Sequence, residues 1–284
     1  MDRYDSQEPR KLAALDEVCG DYAAIFCDIW GVVHNGEKKH PAAERALTAA
    51  RARGVTVVLL TNSPRPASGV IAQLAGFGLS GEAYDAVVTS GDATRALIAE
   101  AGGPIFHIGP ERDLDLFDGL AVERTDALDN ASAAVATGLY HDEEESPEDY
   151  RDLLARMKAR DIPMICANPD IVVHRGERLI WCAGALARDY AAAGGTVELA
   201  GKPHPPIYRQ AMKAGAVEPG AAILAIGDGL MTDVKGANDF GCDTLLITHG
   251  IHGAEFGSAP AADVVSRVLS EKGLSARYFM AALG

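Results

Sequence analysis

The feature that most constrains this chain is a recurring unit: a short apolar β-type run that stops at a chemically capable polar residue and leads into a helical stretch. Ala23-Ala24-Ile25-Phe26-Cys27 ends at Asp28, and Val55 to Leu60 ends at Thr61-Asn62-Ser63. Thr196 to Leu199 precedes Gly201-Lys202, and Ala221 to Ile226 ends at Gly227-Asp228. Runs that are apolar on both faces are those of strands buried inside a parallel sheet. Between the first two, Pro41 opens a helical stretch in which Ala43, Ala46, Leu47 and Ala50 share one face, and Gly54 closes it. Further strands are expected near Asp85 to Val88 and Thr244 to Ile247. Strand, crossover helix, parallel strand predicts an α/β fold built on a doubly wound, Rossmann-like parallel sheet.

The middle of the chain has a different texture. Strands are expected at Ile105-Phe106-His107, Ala133 to Val135 and Met164-Ile165-Cys166, with a helix carrying Tyr150, Leu153, Leu154 and Met157 on one face before the last. This reads as an α/β cap domain over residues 91–195, inserted between a first core half at 1–90 and a second at 196–284.

Composition narrows the classes of function. The chain has 284 residues, 48% of them hydrophobic, enough to bury a sizeable core. Lys and Arg number 26 against 40 Asp and Glu, a net charge of −14, which argues against binding nucleic acid. No apolar run approaches a membrane span, and the charged start Met1-Asp2-Arg3-Tyr4-Asp5 lacks the apolar core of a signal peptide. Five cysteines, odd in number and without a C-x-x-C, fit reduced thiols, so a soluble cytoplasmic protein without a membrane partner is expected. The acidic run Asp142-Glu143-Glu144-Glu145 before Ser146-Pro147 reads as a solvated loop opening a helix. His249-Gly250-Ile251-His252 reads as a loop too, and Trp30 and Trp181 as packing residues.

In open α/β sheets ligands bind beyond the carboxyl ends of the strands. Those ends here carry Asp28, Thr61-Asn62-Ser63, Lys202, and Asp228 with Asp233. Each alone is an ordinary turn or cap residue; their order on four strand ends is what points to a site. Dinucleotide binding is disfavoured, because Gly227-Asp228-Gly229 lacks the third glycine of that fingerprint.

Asp28-Ile29-Trp30-Gly31-Val32, Leu60-Thr61-Asn62-Ser63, Gly201-Lys202-Pro203-His204-Pro205 and Gly227-Asp228-Gly229-Leu230-Met231-Thr232-Asp233 together resemble the haloacid dehalogenase (HAD) superfamily. Within it, the likeness is to the class IIA branch of p-nitrophenyl-phosphatase-like and nucleotide-phosphatase-like proteins. Thr89-Ser90-Gly91-Asp92-Ala93-Thr94 and Ala167-Asn168-Pro169-Asp170 extend it.

The resemblance implies a Mg²⁺-dependent phosphohydrolase acting on a small phosphorylated metabolite. Asp28 would be the nucleophile, forming an aspartyl-phosphate. Asp28, the backbone carbonyl of Trp30, Asp228 and Asp233 would hold the Mg²⁺. Thr61 and the Asn62 backbone N–H would grip phosphoryl oxygens with support from Ser63, and Lys202 would neutralise nucleophile and phosphate. Asn168, Asp170, His174 and Arg175 would select substrate from the cap, and a homodimer is compatible with the branch.

One residue departs from the family pattern. The phosphatases usually carry Asp two residues after the nucleophile as general acid and base, and here the position holds Trp30. Loss of such a group costs about 10²–10⁴-fold. The handicap is severe for alkyl phosphates and small for acyl or aryl phosphates, whose oxygens leave as stabilised anions. His34, in the same loop, reads as a loop residue rather than a replacement acid. HAD dehalogenases also lack the second aspartate but need no Mg²⁺, and the pair Asp228 and Asp233 argues for a cation here. The alternative is a phospho-ligand-binding or regulatory protein that kept the pocket and lost efficient turnover.

Overall fold

The computed structural model describes residues 8–175 and 178–284, with backbone alone for the described residues between 173 and 179. Among the described residues the strands are, in chain order, β1 (Arg10–Lys11), β2 (Ala24–Asp28), β3 (Thr56–Thr61), β4 (Ala86–Thr89), β5 (Ile105–Ile108), β6 (Ala133–Ala136), β7 (Met164–Cys166), β8 (Val172–Arg175), β9 (Arg178–Trp181), β10 (Val197–Leu199), β11 (Ile223–Gly227), β12 (Asp243–Ile247) and β13 (Tyr278–Met280).

The chain divides into two compact units. One holds the described residues up to Thr61, Ile71–Val88 and Tyr208–Gly284; the other holds Asn62–Val70 and Thr89–Ile207.

The first unit is built on a seven-stranded sheet in the order β1-β13-β12-β11-β2-β3-β4. Its central strands run parallel, with Ile25 opposite Leu224 on one side and Val57 on the other. All five residues of β2 and all five of β11 are buried, as apolar strands covered on both faces must be. The order reverses at β2, whose neighbours β3 and β11 come from opposite parts of the chain. The carboxyl ends of β2 and β11 therefore open at a topological switch point.

Helix α1 (Pro41–Ala52) starts with proline at its first turn and buries Ala43, Leu47 and Ala50, the stripe its spacing predicts, with Ala46 at the margin. Helix Ala262–Glu271 covers another stretch of sheet, packing Val265, Val268 and Leu269 on Leu246 and Phe279.

The second unit has its own sheet, β10-β7-β6-β5, parallel throughout. Ser146 caps the turn Pro147–Tyr150 that leads into helix Arg151–Ala159, and Asp149 reciprocates to the Ser146 backbone. Tyr150, Leu154 and Met157 from this segment pack with Ala134, Met164, Leu186 and Tyr190 in a separate hydrophobic core. Strands β8 and β9 form an antiparallel hairpin. A Rossmann-like core interrupted in sequence by an α/β cap domain is thus the architecture.

Among the described residues no helix is long and apolar enough to cross a membrane. The five cysteines are buried thiols. The acidic run is less solvated than its composition predicts. Asp142 pairs with Arg112, and Glu145 accepts hydrogen bonds from the Tyr150 hydroxyl at 2.7 Å and the His141 N–H at 2.8 Å, while Glu143 and Glu144 are exposed.

Candidate active site

Asp28 is the last residue of β2, and Asp228 follows the last residue of the adjacent β11. One turn on, the chain makes a π-type turn over Leu230–Val234 that swings Asp233 back, and its Oδ2 accepts the Gly229 N–H at 2.9 Å. The three carboxylates meet: one oxygen from each lies within 4.8 Å of the others, and each residue is about 6% exposed.

Asp228 is fixed from two sides. Its Oδ2 accepts the backbone N–H of Ile251 at 2.7 Å. A Cβ on Gly250 would stand 1.9 Å from that oxygen, and one on Gly31 2.3 Å from it, so two glycine backbones press on one carboxylate. Only residues without a side chain permit that approach. The His249-to-His252 segment is therefore part of the site through its backbone, which residue chemistry could not reveal. Its histidine rings are engaged elsewhere: His249 Nε2 with the Ser258 carbonyl at 2.8 Å and His252 Nδ1 with Glu255 at 2.6 Å.

A cluster of buried carboxylate oxygens fits a hard divalent cation. An octahedral Mg²⁺ shell at about 2.0–2.1 Å sets opposite ligands roughly 4.2 Å apart. Adjacent ligands of the same shell lie about 2.9 Å apart, so three oxygens within 4.8 Å of one another surround a space that a small cation would draw closed. The chemistry of the donor set, all oxygen with no imidazole or thiolate, points the same way.

Thr61 ends β3 in the first unit. Asn62, Ser63, Lys202, Asn168 and Asp170 belong to the second unit, where four of them form a connected network. The Asn62 side chain clamps the Lys202 backbone, its Oδ1 accepting the Lys202 N–H at 2.7 Å and its Nδ2 donating to the Lys202 carbonyl at 3.1 Å. The same Nδ2 donates to Asp170 Oδ1 at 3.2 Å, and the Asp170 N–H donates to Asn168 Oδ1 at 3.1 Å. Lys202 is 4% exposed. Ser63 is tied locally, its Oγ accepting the Arg65 N–H at 3.3 Å. His174 and Arg175 lie on β8, and their side chains fall outside the described residues.

Trp30 does not pack as its type predicts. It is 57% exposed, with the benzo ring against Gly36, where a Cβ would stand 2.5 Å from Cη2. Trp181, by contrast, packs on the core of the second unit. His34 is buried, edge-on to Trp30 at 5.1 Å and to Phe77 at 5.0 Å. Its Nδ1 accepts the Gly36 N–H at 2.9 Å, and burial pushes its pKa down. The ring is a neutral strut beneath the loop, which agrees with reading it as a loop residue.

A Rossmann-like sheet, an inserted α/β cap and three acids gathered at adjoining strand ends are the frame that the resemblance to haloacid dehalogenase-type hydrolases implies. Residues 25–123 match the family model described as haloacid dehalogenase-like hydrolase, and residues 199–271 match a second, HAD-hydrolase-like model. A crystal structure of a hydrolase of the haloacid dehalogenase-like family from Brucella suis 1330 is 50% identical. It covers 97% of this chain and all of that one, with a TM-score of 0.80. The chain belongs to the haloacid dehalogenase-like hydrolases.

More distant likenesses are to phosphatases. Glycerol phosphate phosphatase from Mycobacterium tuberculosis, solved in complex with magnesium, is 24% identical over 86% of this chain and 74% of that one, with a TM-score of 0.68. Chronophin from Mus musculus is 26% identical over 255 residues, 86% of each chain.

Proposed function

We propose that the protein is a Mg²⁺-dependent phosphohydrolase of the class IIA type, acting on a small phosphorylated metabolite through an aspartyl-phosphate on Asp28. The observation that carries this reading is the buried cluster of Asp28, Asp228 and Asp233 at the ends of β2 and β11. Likeness to a glycerol phosphate phosphatase solved with magnesium supports it.

On this reading Asp28, Asp228, Asp233 and the backbone carbonyl of Trp30 hold the metal, which when bound screens the repulsion between a carboxylate and a phosphate dianion. Asp28 attacks phosphorus, and the leaving oxygen departs with the electron pair of the broken P–O bond. Water then displaces the Asp28 carboxylate from phosphorus and releases inorganic phosphate. Thr61, the Asn62 backbone N–H and Ser63 orient the phosphoryl oxygens. Lys202 supplies positive charge, and the Asn62 side chain positions it by fixing its backbone. Asn168, Asp170, His174 and Arg175 select the rest of the substrate.

Trp30 has no proton to give at the position where the family uses aspartate, so the substrates it serves are activated phosphates, acyl or aryl. The same residue favours a second reading, a phospho-ligand-binding or regulatory protein with impaired turnover. Phosphate release from aryl, acyl, sugar and nucleotide phosphates, with Mg²⁺ or with excess EDTA and beside Asp28→Asn, separates the two. Mg²⁺-dependent release that disappears in Asp28→Asn is the expected outcome. No release, with phosphorylated ligands still raising the melting temperature, would select the binding protein.

A further inference from the structure

Loops from separate parts of the second unit converge on one amide, the side chain of Asn62. Asp170, in the loop after β7, lies 108 residues along the chain from it, and Lys202, in the loop after β10, lies 140 residues away. Lys202 offers the amide one donor and one acceptor, its N–H at 2.7 Å and its carbonyl at 3.1 Å. A carboxamide has one end of each kind, so it meets that pair in a single orientation, Oδ1 to the N–H and Nδ2 to the carbonyl. Asp170 Oδ1, 3.2 Å from Nδ2, adds a second acceptor on the same side. Turned over, the amide would set its oxygen against the Lys202 carbonyl and the Asp170 carboxylate together. The carboxylate therefore fixes the orientation a second time, through a bond roughly twice as strong as one between neutral groups. It also polarises the amide, which strengthens the bond that Oδ1 accepts from Lys202.

Asp170 is itself held in place. Its N–H donates to Asn168 Oδ1 at 3.1 Å, the Asn168 carbonyl accepts the Cys166 thiol at 3.2 Å, and the Ile171 carbonyl accepts the Cys182 N–H at 2.9 Å. A Cβ on Gly184 would stand 2.1 Å from the Pro169 carbonyl oxygen and 2.5 Å from that of Asp170, so the start of helix Ala183–Ala192 lies directly on the loop. Beside the amide, a Cβ on Gly201 would stand 2.6 Å from Asn62 Oδ1. A carboxylate presented from a loop pinned on several sides, and engaged by Asn62, is built to orient its neighbour.

We propose that Asp170 is a positioning residue for phosphoryl transfer: it orients the Asn62 amide, and the amide in turn fixes Lys202, the cation that serves the phosphoryl group. The inference rests on the phosphohydrolase reading above and moves Asp170, within it, from substrate selection to the placing of charge. The two tasks differ in what they discriminate. A selecting residue touches the leaving group, so its loss weighs unequally on different substrates. A residue that acts through Lys202 acts on the phosphoryl group, which every substrate shares.

The test measures kcat/KM for phenyl phosphate and acetyl phosphate on the wild type, Asp170→Ala, Asp170→Asn, Asn62→Ala and the double alanine variant. In Asp170→Ala both values should fall by one common factor of about 10-fold or more, because transfer rates respond steeply to small misplacements. Asp170→Asn keeps an acceptor for Nδ2 and should recover part of the loss. Asn62→Ala keeps its backbone N–H but loses the clamp, and the double variant should be no worse than Asn62→Ala alone, since nothing is left for Asp170 to orient. A loss confined to one substrate, or losses that multiply in the double variant, would overturn the inference and leave the phosphohydrolase reading intact.

A second arm needs no turnover. Calorimetric titration with inorganic phosphate in Mg²⁺ should show weaker binding in Asp170→Ala, partial recovery in Asp170→Asn, and equal weakening in Asn62→Ala and the double variant. Unchanged phosphate affinity in Asp170→Ala would sink the inference whether or not the wild type releases phosphate. A wild type that binds phosphate without releasing any from either substrate would overturn the phosphohydrolase reading instead, and the same titrations would still decide whether Asp170 places Lys202.

Discussion

The backbone N–H of Ile251 donates to Asp228 Oδ2 at 2.7 Å, so an acid that follows β11 is held by the loop that follows the neighbouring β12. The loop reaches it because Gly250 lets the backbone lie directly over the carboxylate. Residues that orient a metal ligand typically change affinity 10–100-fold when lost. Gly250→Ala would place a methyl 1.9 Å from the oxygen and must push the loop or the acid aside. The expected outcome is a Mg²⁺ dissociation constant raised by about 10-fold or more. The metal-free protein should keep its fold at a packing cost of about 1–3 kcal/mol. Calorimetric Mg²⁺ titration beside a thermal melt in EDTA measures both. Wild-type affinity in the variant would contradict the clamp.

Asp28→Asn separates the two tasks assigned to that carboxylate. An amide does not form the acyl phosphate, so phosphate release should fall to background. In EDTA the same variant should melt higher than wild type, because one of three buried like charges within 4.8 Å is gone. Excess Mg²⁺ should reverse that order. A variant that loses activity but melts below wild type in EDTA would mean that Asp28 is not electrostatically strained against its neighbours.

Trp30→Asp returns a titratable group to the position two residues after Asp28. If the missing acid is all that restricts the enzyme, hydrolysis of alkyl phosphates should rise by about 10²–10⁴-fold. Aryl phosphates, which need no proton, should gain little. Initial rates on glycerol phosphate and phenyl phosphate, measured on both proteins, read out the crossover. No gain on glycerol phosphate would show that the surrounding loop has been rebuilt around the indole.

Much of this fold is legible in residue order. Strands buried on both faces announce themselves as apolar runs, and β2, β3, β6, β7, β11 and β12 fall within a residue or two of where Ala23–Cys27, Val55–Leu60 and their counterparts place them. What escaped is short or conditional. Strand β1 is two residues and β13 three, too brief for any period to show, and they pair only with the sheet already formed. Hairpin β8–β9 likewise carries no run that sequence alone separates from loop. At the site, Asp28, Asp228 and Asp233 are visible because their chemistry lies in side chains. Gly250 and Ile251 act through backbone approach and a backbone N–H, and a backbone has no residue code. Trp30 misled for a related reason: aromatic residues are usually buried, and its exposure depends on a glycine six positions away.

Ser90 offers a stability test that runs against the usual direction. Its hydroxyl is fully buried at the start of helix Ser90–Ala101 and has no hydrogen-bond partner, beside Arg51 Nε the other such side-chain atom among the described residues. Thr89, not Ser90, supplies the cap, through its exchange with Asp92. An unsatisfied buried hydroxyl costs about 1–3 kcal/mol, so Ser90→Ala should stabilise the protein by about 1 kcal/mol. Urea unfolding of the two proteins decides it, and a destabilised alanine variant would reveal a partner that the hydroxyl needs.

His107 sets a pH dependence in the second unit. Its Nε2 faces Thr137 Oγ1 at 3.0 Å and its ring meets Phe117 edge-on at 5.3 Å. Burial, with Arg124 adding to it, lowers its pKa from 6.5 to about 4. The folded state therefore keeps His107 neutral where the unfolded chain would protonate it. Below about pH 6.5 the unfolded state binds the extra proton, so stability falls as pH drops and levels off once pH passes the folded value near 4. The loss between about pH 7 and pH 5 is roughly 2 kcal/mol from this group. Asp113, which shares Thr137, has its pKa raised by burial and works in the opposite sense, gaining stability as it protonates. Substitution isolates the histidine: His107→Gln removes its titration and leaves Asp113 in place. Urea unfolding of both proteins at the two pH values should show the variant gaining on wild type by about 2 kcal/mol at the lower one. Parallel losses in the two proteins would assign the acid sensitivity to other groups.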